Sequence, residues 1–359
     1  MGPDLPTTMT AAVFDGPGVI ELEDRPVPTP GPGEVLVEVS HCGVCGSDLH
    51  LGLDGWARPG SIGGHEFTGR IVAVGEGVEG WPAGLAVLGG PEPRCGSCRW
   101  CRAARPSLCE ARANPGRSDH QGAFTRYVRV DARRLLRVPD GLGLRVAALA
   151  EPLAVALHAI TVGRIAPPDR VMITGLGPIG QLVLAVLVTR GHGDVTVVEP
   201  LPRRQQLAQA LGAGRILEPS ALALFSIAEP ERLAADPVDV VVECSGRRAA
   251  MEAGLCQLAR GGRLVLVGAG IEPPSFDPNR ILLNELVVTG AFNYDHGGFE
   301  QALELLASGA LPVDRLIEPV DVPLDRLLDA MHALVRGDLA AKVMVVPFTE
   351  SQREEASHG

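Results

Sequence analysis

Val171-Met172-Ile173-Thr174-Gly175-Leu176-Gly177-Pro178-Ile179-Gly180 is a short, largely apolar run followed by glycines in G-x-G-x-x-G spacing. An apolar stretch reaching Arg190 comes next. This order predicts a buried strand, a tight turn and a helix. Glycines at these positions permit the turn, a close approach of backbone to a pyrophosphate, and close helix–strand packing. The spacing alone is a weak signal. Its neighbours strengthen it, because Val195-Thr196-Val197-Val198 reads as the next strand and ends in Glu199. An acid about 20 residues beyond the glycine turn is where a dinucleotide's adenosine ribose is held.

Working outward, strands and helices alternate. Arg203–Leu211 reads as a helix, Val238–Val242 as a strand, Arg247–Leu258 as a helix and Arg263–Val267 as a strand, with an edge strand at Val287–Thr289. Strands that are apolar throughout and separated by helices form a parallel sheet covered on both faces. The fold class is therefore α/β, with a doubly wound, Rossmann-type dinucleotide domain expected over residues 153–292. Its expected cofactor contacts are Gly175, Gly177, Pro178, Ile179, Gly180, Glu199, Arg204 and Val267. Glu199 repels a 2′-phosphate, which favours NAD over NADP.

Before this domain the pattern differs. Val35-Leu36-Val37-Glu38-Val39 and Arg70-Ile71-Val72-Ala73-Val74 are short strands among glycine and proline turns. More follow around Ala123–Val130 and Leu135–Val138. Residues 1–152 thus form a β-rich domain, and residues 293–359, with two helices and a strand at Lys342–Val346, are expected to return to it.

The 359 residues carry a formal net charge of −11 and no basic block, which argues against nucleic-acid or membrane-surface partners. No run looks long and apolar enough to span a bilayer, and the first ten residues lack a secretory pattern. The expected location is the cytoplasm. Four of the eight cysteines, Cys95, Cys98, Cys101 and Cys109, stand in C-x-x-C-x-x-C-x7-C spacing. Four thiolates satisfy a tetrahedral zinc and leave no open position, so the site is structural. An iron–sulfur cluster is the rival reading.

A second set is dispersed. Residues 41–50, His-Cys-Gly-Val-Cys-Gly-Ser-Asp-Leu-His, place Cys45 near Ser47, Asp48 and His50. Gly64-His65-Glu66 adds an imidazole and a carboxylate, and Glu151-Pro152 another carboxylate. Thiolate, imidazole and carboxylate with one position open is a catalytic zinc set. Singly, each has a plainer reading: a buried thiol, a surface histidine, a helix-capping acid.

Together these motifs resemble the zinc-dependent medium-chain alcohol/polyol dehydrogenases over about residues 10–347. The resemblance rests on the runs from Gly43 and Gly64, the four-cysteine loop, Glu151-Pro152-Leu153 and the glycine turn. It implies a GroES-like catalytic domain interrupted by the Rossmann domain, two zinc ions per chain, and a homodimer or homotetramer. It implies Cys45, His65 and Glu151 as catalytic zinc ligands, with Glu66 nearby or ligating in alternate states. Asp48 would orient His65, Ser47 and His50 would relay a proton through the cofactor ribose, and Lys342, the only lysine, would face the cofactor pyrophosphate. The implied reaction is reversible oxidation of a secondary alcohol or polyol to a ketone or aldehyde. Asn293 stands where polyol enzymes of this type often carry arginine, which weakens the case for a sorbitol-like substrate. Two rivals differ in class: a reductase of C=C or C=N bonds on the same scaffold, and a non-enzymatic binding protein.

Overall fold

The computed structural model describes residues 5–89, 94–111 and 121–347. The polar tail beyond Pro347 lies outside them. The chain divides into two compact units, Met1–Glu151 with Ile317–Gly359, and Pro152–Leu316. Residues 293–316, expected with the C-terminal piece, group with the parallel-sheet unit instead. The helix Gly298–Ala307 explains this, since its apolar face buries Phe299, Ala302, Leu303 and Leu306.

In the first unit the strand Glu34–Gly43 is central. It pairs antiparallel with Glu66–Val74, Tyr127–Asp131 and Met344–Val346. It is buried on both faces over part of its length: Val35, Val37 and Val39 pack into the main core, and Leu36 packs on the opposite face with Met9 and Tyr127. Phe14 and Phe124 fill that core with ring centroids 6.3 Å apart. The register sets Gly43 opposite both Glu66 and Met344, so three distant segments end at one place.

The second unit holds a six-stranded parallel sheet. Its order is Arg215–Leu217, Val195–Val198, Val171–Thr174, Val238–Glu243, Leu258–Leu266, Val287–Gly290. In chain order these strands run 3-2-1-4-5-6, which places the order reversal beside Val171–Thr174, the strand leading into the glycine turn. Val171, Met172 and Ile173 are buried, as a sheet covered on both faces requires.

The run that holds Ser47, Asp48 and His50 forms a helix, Gly46–Leu53, with Cys45 as its N-cap. The chain also holds a helical stretch, Leu144–Val162, long and apolar enough to cross a membrane, where the sequence suggested none. Of its most apolar window 67% is buried inside the protein, which marks a core helix.

Candidate active site and metal centres

The four-cysteine loop forms as its spacing predicts. Sγ of Cys95 lies 3.9 Å from that of Cys101 and 3.6 Å from that of Cys109. Backbone N–H groups of Cys98 and Cys101 donate to Cys95 and Cys98 sulfurs at 3.3 and 3.5 Å. These bonds hold the Cys95 thiol down at about 6, whereas desolvation and neighbouring thiols push Cys101 up to about 12. Four sulfurs this close cannot all ionise without a cation among them, so the donor set fits zinc. All eight cysteines are free thiols, with no disulfide competing for them.

The second centre is assembled by the register of the central sheet. Ligand atoms of Cys45, His65 and Glu66 lie within 4.8 Å of one another. Cys45 is the N-cap of Gly46–Leu53, and Asp48, three residues on, accepts its backbone N–H at 2.9 Å. That is the capping-box geometry that starts the helix. The other Asp48 oxygen accepts the Gly64 N–H at 3.3 Å and stands 3.9 Å from His65 Nδ1. One buried carboxylate thus ties the Cys45 and His65 segments together. The approach is tight: a Cβ on Gly43 would stand 2.2 Å from Glu66 Oε2.

Lys342 lies against Glu66. It is 2% exposed, and its ammonium donates to Glu66 at 2.8 Å and to the Val44 carbonyl at 3.0 Å, with the second Glu66 oxygen at 2.7 Å. Its partner in this structure is the Glu66 carboxylate. Desolvation opposes its charge, but Glu66, Cys45 and Glu151 outweigh that and raise its pKa. A buried ammonium persists only with such partners.

Glu151 does not close to the distances of the Cys45, His65 and Glu66 group. It has no hydrogen bond or ion pair of its own among the described residues, and burial raises its pKa to about 7. His65 is also shifted. Desolvation works against its charge, yet the Cys45 sulfur and the Asp48 and Glu151 carboxylates hold it well above the ordinary imidazole range. A histidine and a carboxylate that each draw a proton are a site short of positive charge, as an unmetallated zinc site is.

Ser47 and His50 lie three residues apart on Gly46–Leu53, hence on one helix face. His50 Nδ1 is 2.6 Å from Asp54 Oδ2, and its ring stacks on Trp56. Sequence reading missed both partners. The i,i+4 spacing of His50 and Asp54 would have shown the first once the helix was recognised.

In the other unit, Gly177 caps the helix Pro178–Thr189, and nothing lies within 4 Å of where its Cβ would stand. A Cβ on Gly180 would meet the Gly175 carbonyl at 2.2 Å. The turn therefore needs glycine on its inner side and is open on its outer side, which fits a phosphate. Glu199 is buried at the end of its strand; its oxygens accept the Leu176 and Leu201 N–H groups at 2.7 and 3.0 Å. Arg204 lies in the first turn of Pro202–Ala210, and Val267 follows Leu258–Leu266 with its N–H on the Glu243 carbonyl.

Residues 31–140 match the alcohol dehydrogenase GroES-like domain, and residues 178–308 match the zinc-binding dehydrogenase family. The chain is 33% identical to sorbitol dehydrogenase of Bacillus subtilis, over 96% of this chain and 98% of that one. Among solved structures, acetophenone reductase of Geotrichum candidum in complex with NAD superposes with a TM-score of 0.84 at 29% identity, covering 97% of this chain and 99% of that one. A zinc-binding dehydrogenase of Sinorhizobium meliloti 1021 bound to NADP superposes with a TM-score of 0.81 at 30% identity, covering 95% and 100%. A GroES-like catalytic fold, a Rossmann sheet and these similarities over nearly the full length place the chain in the zinc-dependent medium-chain alcohol/polyol dehydrogenases, oxidoreductases acting on CH–OH donors.

Proposed function

We propose that this dehydrogenase transfers hydride between a secondary alcohol or polyol and NAD, with one catalytic and one structural zinc per chain. The observation that carries the reading is the convergence of Cys45, His65 and Glu66 beside the helix bearing Ser47 and His50. Cys95, Cys98, Cys101 and Cys109 hold the structural ion. Cys45, His65 and Glu151 hold the catalytic one. Glu151 takes the third place because Glu66 already has the Lys342 cation against it, while Glu151 has no ion pair of its own among the described residues. When bound, zinc lowers the pKa of the substrate hydroxyl and, in the reverse direction, polarises the carbonyl. Ser47 takes the hydroxyl proton and His50 delivers it to solvent. Asp48 keeps Cys45 and His65 at their spacing.

Glu199, locked in place by the glycine turn, supports NAD over NADP, because a carboxylate there repels a 2′-phosphate. Arg204 and Val267 are further cofactor contacts in this reading. Four thiols retained as ligands suit the reducing cytoplasm. The edge strand Val287–Gly290, with Val287 51% exposed, offers a surface to a second copy in a homodimer or homotetramer.

The test is a panel on one zinc-analysed sample: NAD and NADP with sorbitol, and NADH and NADPH with acetophenone. Turnover of either probe with the non-phosphorylated cofactor preferred, and two zinc ions per chain, is expected. Reduction of an enone with neither probe turned over would overturn the reading.

A further inference from the structure

We propose that Asp54 and Trp56 are positioning residues for His50: they fix its imidazole so that Nε2 is the atom that receives the relayed proton. The inference rests on Ser47 and His50 forming the proton relay.

His50 lies in the last turn of the helix Gly46–Leu53, and Asp54 is that helix's C-cap. The Asp54 carboxylate is 2.6 Å from His50 Nδ1. An ionised carboxylate only accepts, so Nδ1 must carry the hydrogen. The neutral ring is then left with its lone pair on Nε2. A hydrogen bond fixes the ring within its plane but leaves it free to rock about that bond. Trp56 removes this freedom, since its ring lies 4.7 Å from the imidazole, centroid to centroid, with 20° between the planes. The backbone holds both partners in place: the N–H groups of Asp54 and Trp56 both donate to the His50 carbonyl, each at 3.2 Å. Asp54, Gly55 and Trp56 thus fold back over the residue they serve.

A His–Asp pair four residues apart is common on helix surfaces and by itself signifies little. Here the same ring is held by a carboxylate at Nδ1 and by an indole across its face. The pair is also graded in exposure, the His50 side chain at 21% and the Asp54 side chain at 43%, so charge on the pair borders solvent. Nε2 takes up a proton, the Nδ1–H bond to Asp54 stays intact, and the imidazolium is balanced by the carboxylate. The Nε2 proton then leaves to water or buffer, and the ring returns to the same tautomer without flipping. Trp56 is thereby assigned to the relay.

The decisive experiment combines a double-mutant cycle with the tautomer itself, both on zinc-loaded enzyme. In oxidation of sorbitol, or reduction of acetophenone, Asp54→Ala should lower kcat/KM about tenfold. NADH affinity should stay unchanged and imidazole buffer should restore the rate. In a His50→Ala background the same change should cost nothing further. An equal loss in that background would show that Asp54 acts without His50 and would overturn the proposal. Solid-state 15N spectra of histidine-labelled enzyme, assigned with His50→Gln, should place the neutral proton on Nδ1 and move it to Nε2 in Asp54→Ala. A wild-type proton on Nε2 would overturn the proposal. If His50→Ala keeps the full rate, the relay reading fails, and the tautomer alone then decides whether Asp54 sets the ring. If Asp54→Ala does not fold, Asp54→Asn replaces it; its neutral acceptor should retain the tautomer but lose part of the rate.

Discussion

Cys95, Cys98, Cys101 and Cys109 come from a single stretch of fifteen residues, whereas Cys45, His65, Glu66 and Glu151 come from strand ends and a helix far apart in sequence. The first group sits in a loop whose only helical turns among the described residues are Arg99–Arg102 and Pro106–Leu108. Cys95 is exposed there, Cys98 and Cys101 are half-buried and Cys109 is buried. The second group sits at the end of a sheet, where Glu66 and the neighbouring Asp48 are fully buried and His65 is exposed. A closed, all-thiol set organises a loop that cannot organise itself. A mixed set on a pre-formed scaffold can leave a position open for substrate, because packing and hydrogen bonds already hold its ligands.

The sharpest way to separate the two centres is to remove a sulfur from each. Cys45→Ala should reduce alcohol oxidation by about 10³-fold, with NADH binding by fluorescence titration and one zinc per chain retained. Full turnover in a verified variant lacking that zinc would remove the metal from the mechanism. Next in size is the buried pair behind the catalytic ligands. Lys342→Met leaves Glu66 unpaired at 0% exposure and should cost about 3 kcal/mol in urea unfolding. An unchanged midpoint would mean that Glu66 is protonated or solvated when the lysine is gone.

Cys98→Ser should act on the loop alone. It should lose the structural zinc, lower Tm by about 5 °C and expose the loop to protease, while hydride transfer per remaining zinc persists. Comparable loss of catalysis and stability would show the two centres to be coupled.

The smallest effect concerns pH in metal-stripped protein. The folded pKa of Glu151 is raised to about 7 from an ordinary 4.5. Its contribution to stability is therefore fully present below the unfolded value and is lost as pH rises through the folded one. Above about pH 8, Glu151→Gln should stabilise the metal-free protein by on the order of 2 kcal/mol and flatten the pH slope. Zinc should abolish the difference if Glu151 is a ligand. A difference that survives zinc loading would assign the third ligand to Glu66.

Much of this was legible before any coordinates. The strands Val171–Thr174 and Val195–Val198 lie within the boundaries read from sequence, because a fully buried strand is a continuous apolar run. The helix Gly46–Leu53 was not legible. A glycine at its first position and a cysteine at its N-cap are poor helix signals, and Asp48 as the capping acid was the only clue. Lys342 stands out in the sequence as the only lysine, but its pairing with Glu66 does not. Its pairing with Glu66 spans 276 residues of chain, and no local pattern encodes such a distance.

By itself the sequence determined the α/β class, the glycine turn with Glu199, and the four-cysteine loop. Each is a local pattern whose chemistry is complete within about 30 residues. Tertiary structure alone decided which carboxylate beside Cys45 and His65 is already neutralised. It also decided what holds the imidazole of His50. Both depend on side-chain direction at the ends of elements, set by strand register and helix capping. The spacing of residue types leaves them open.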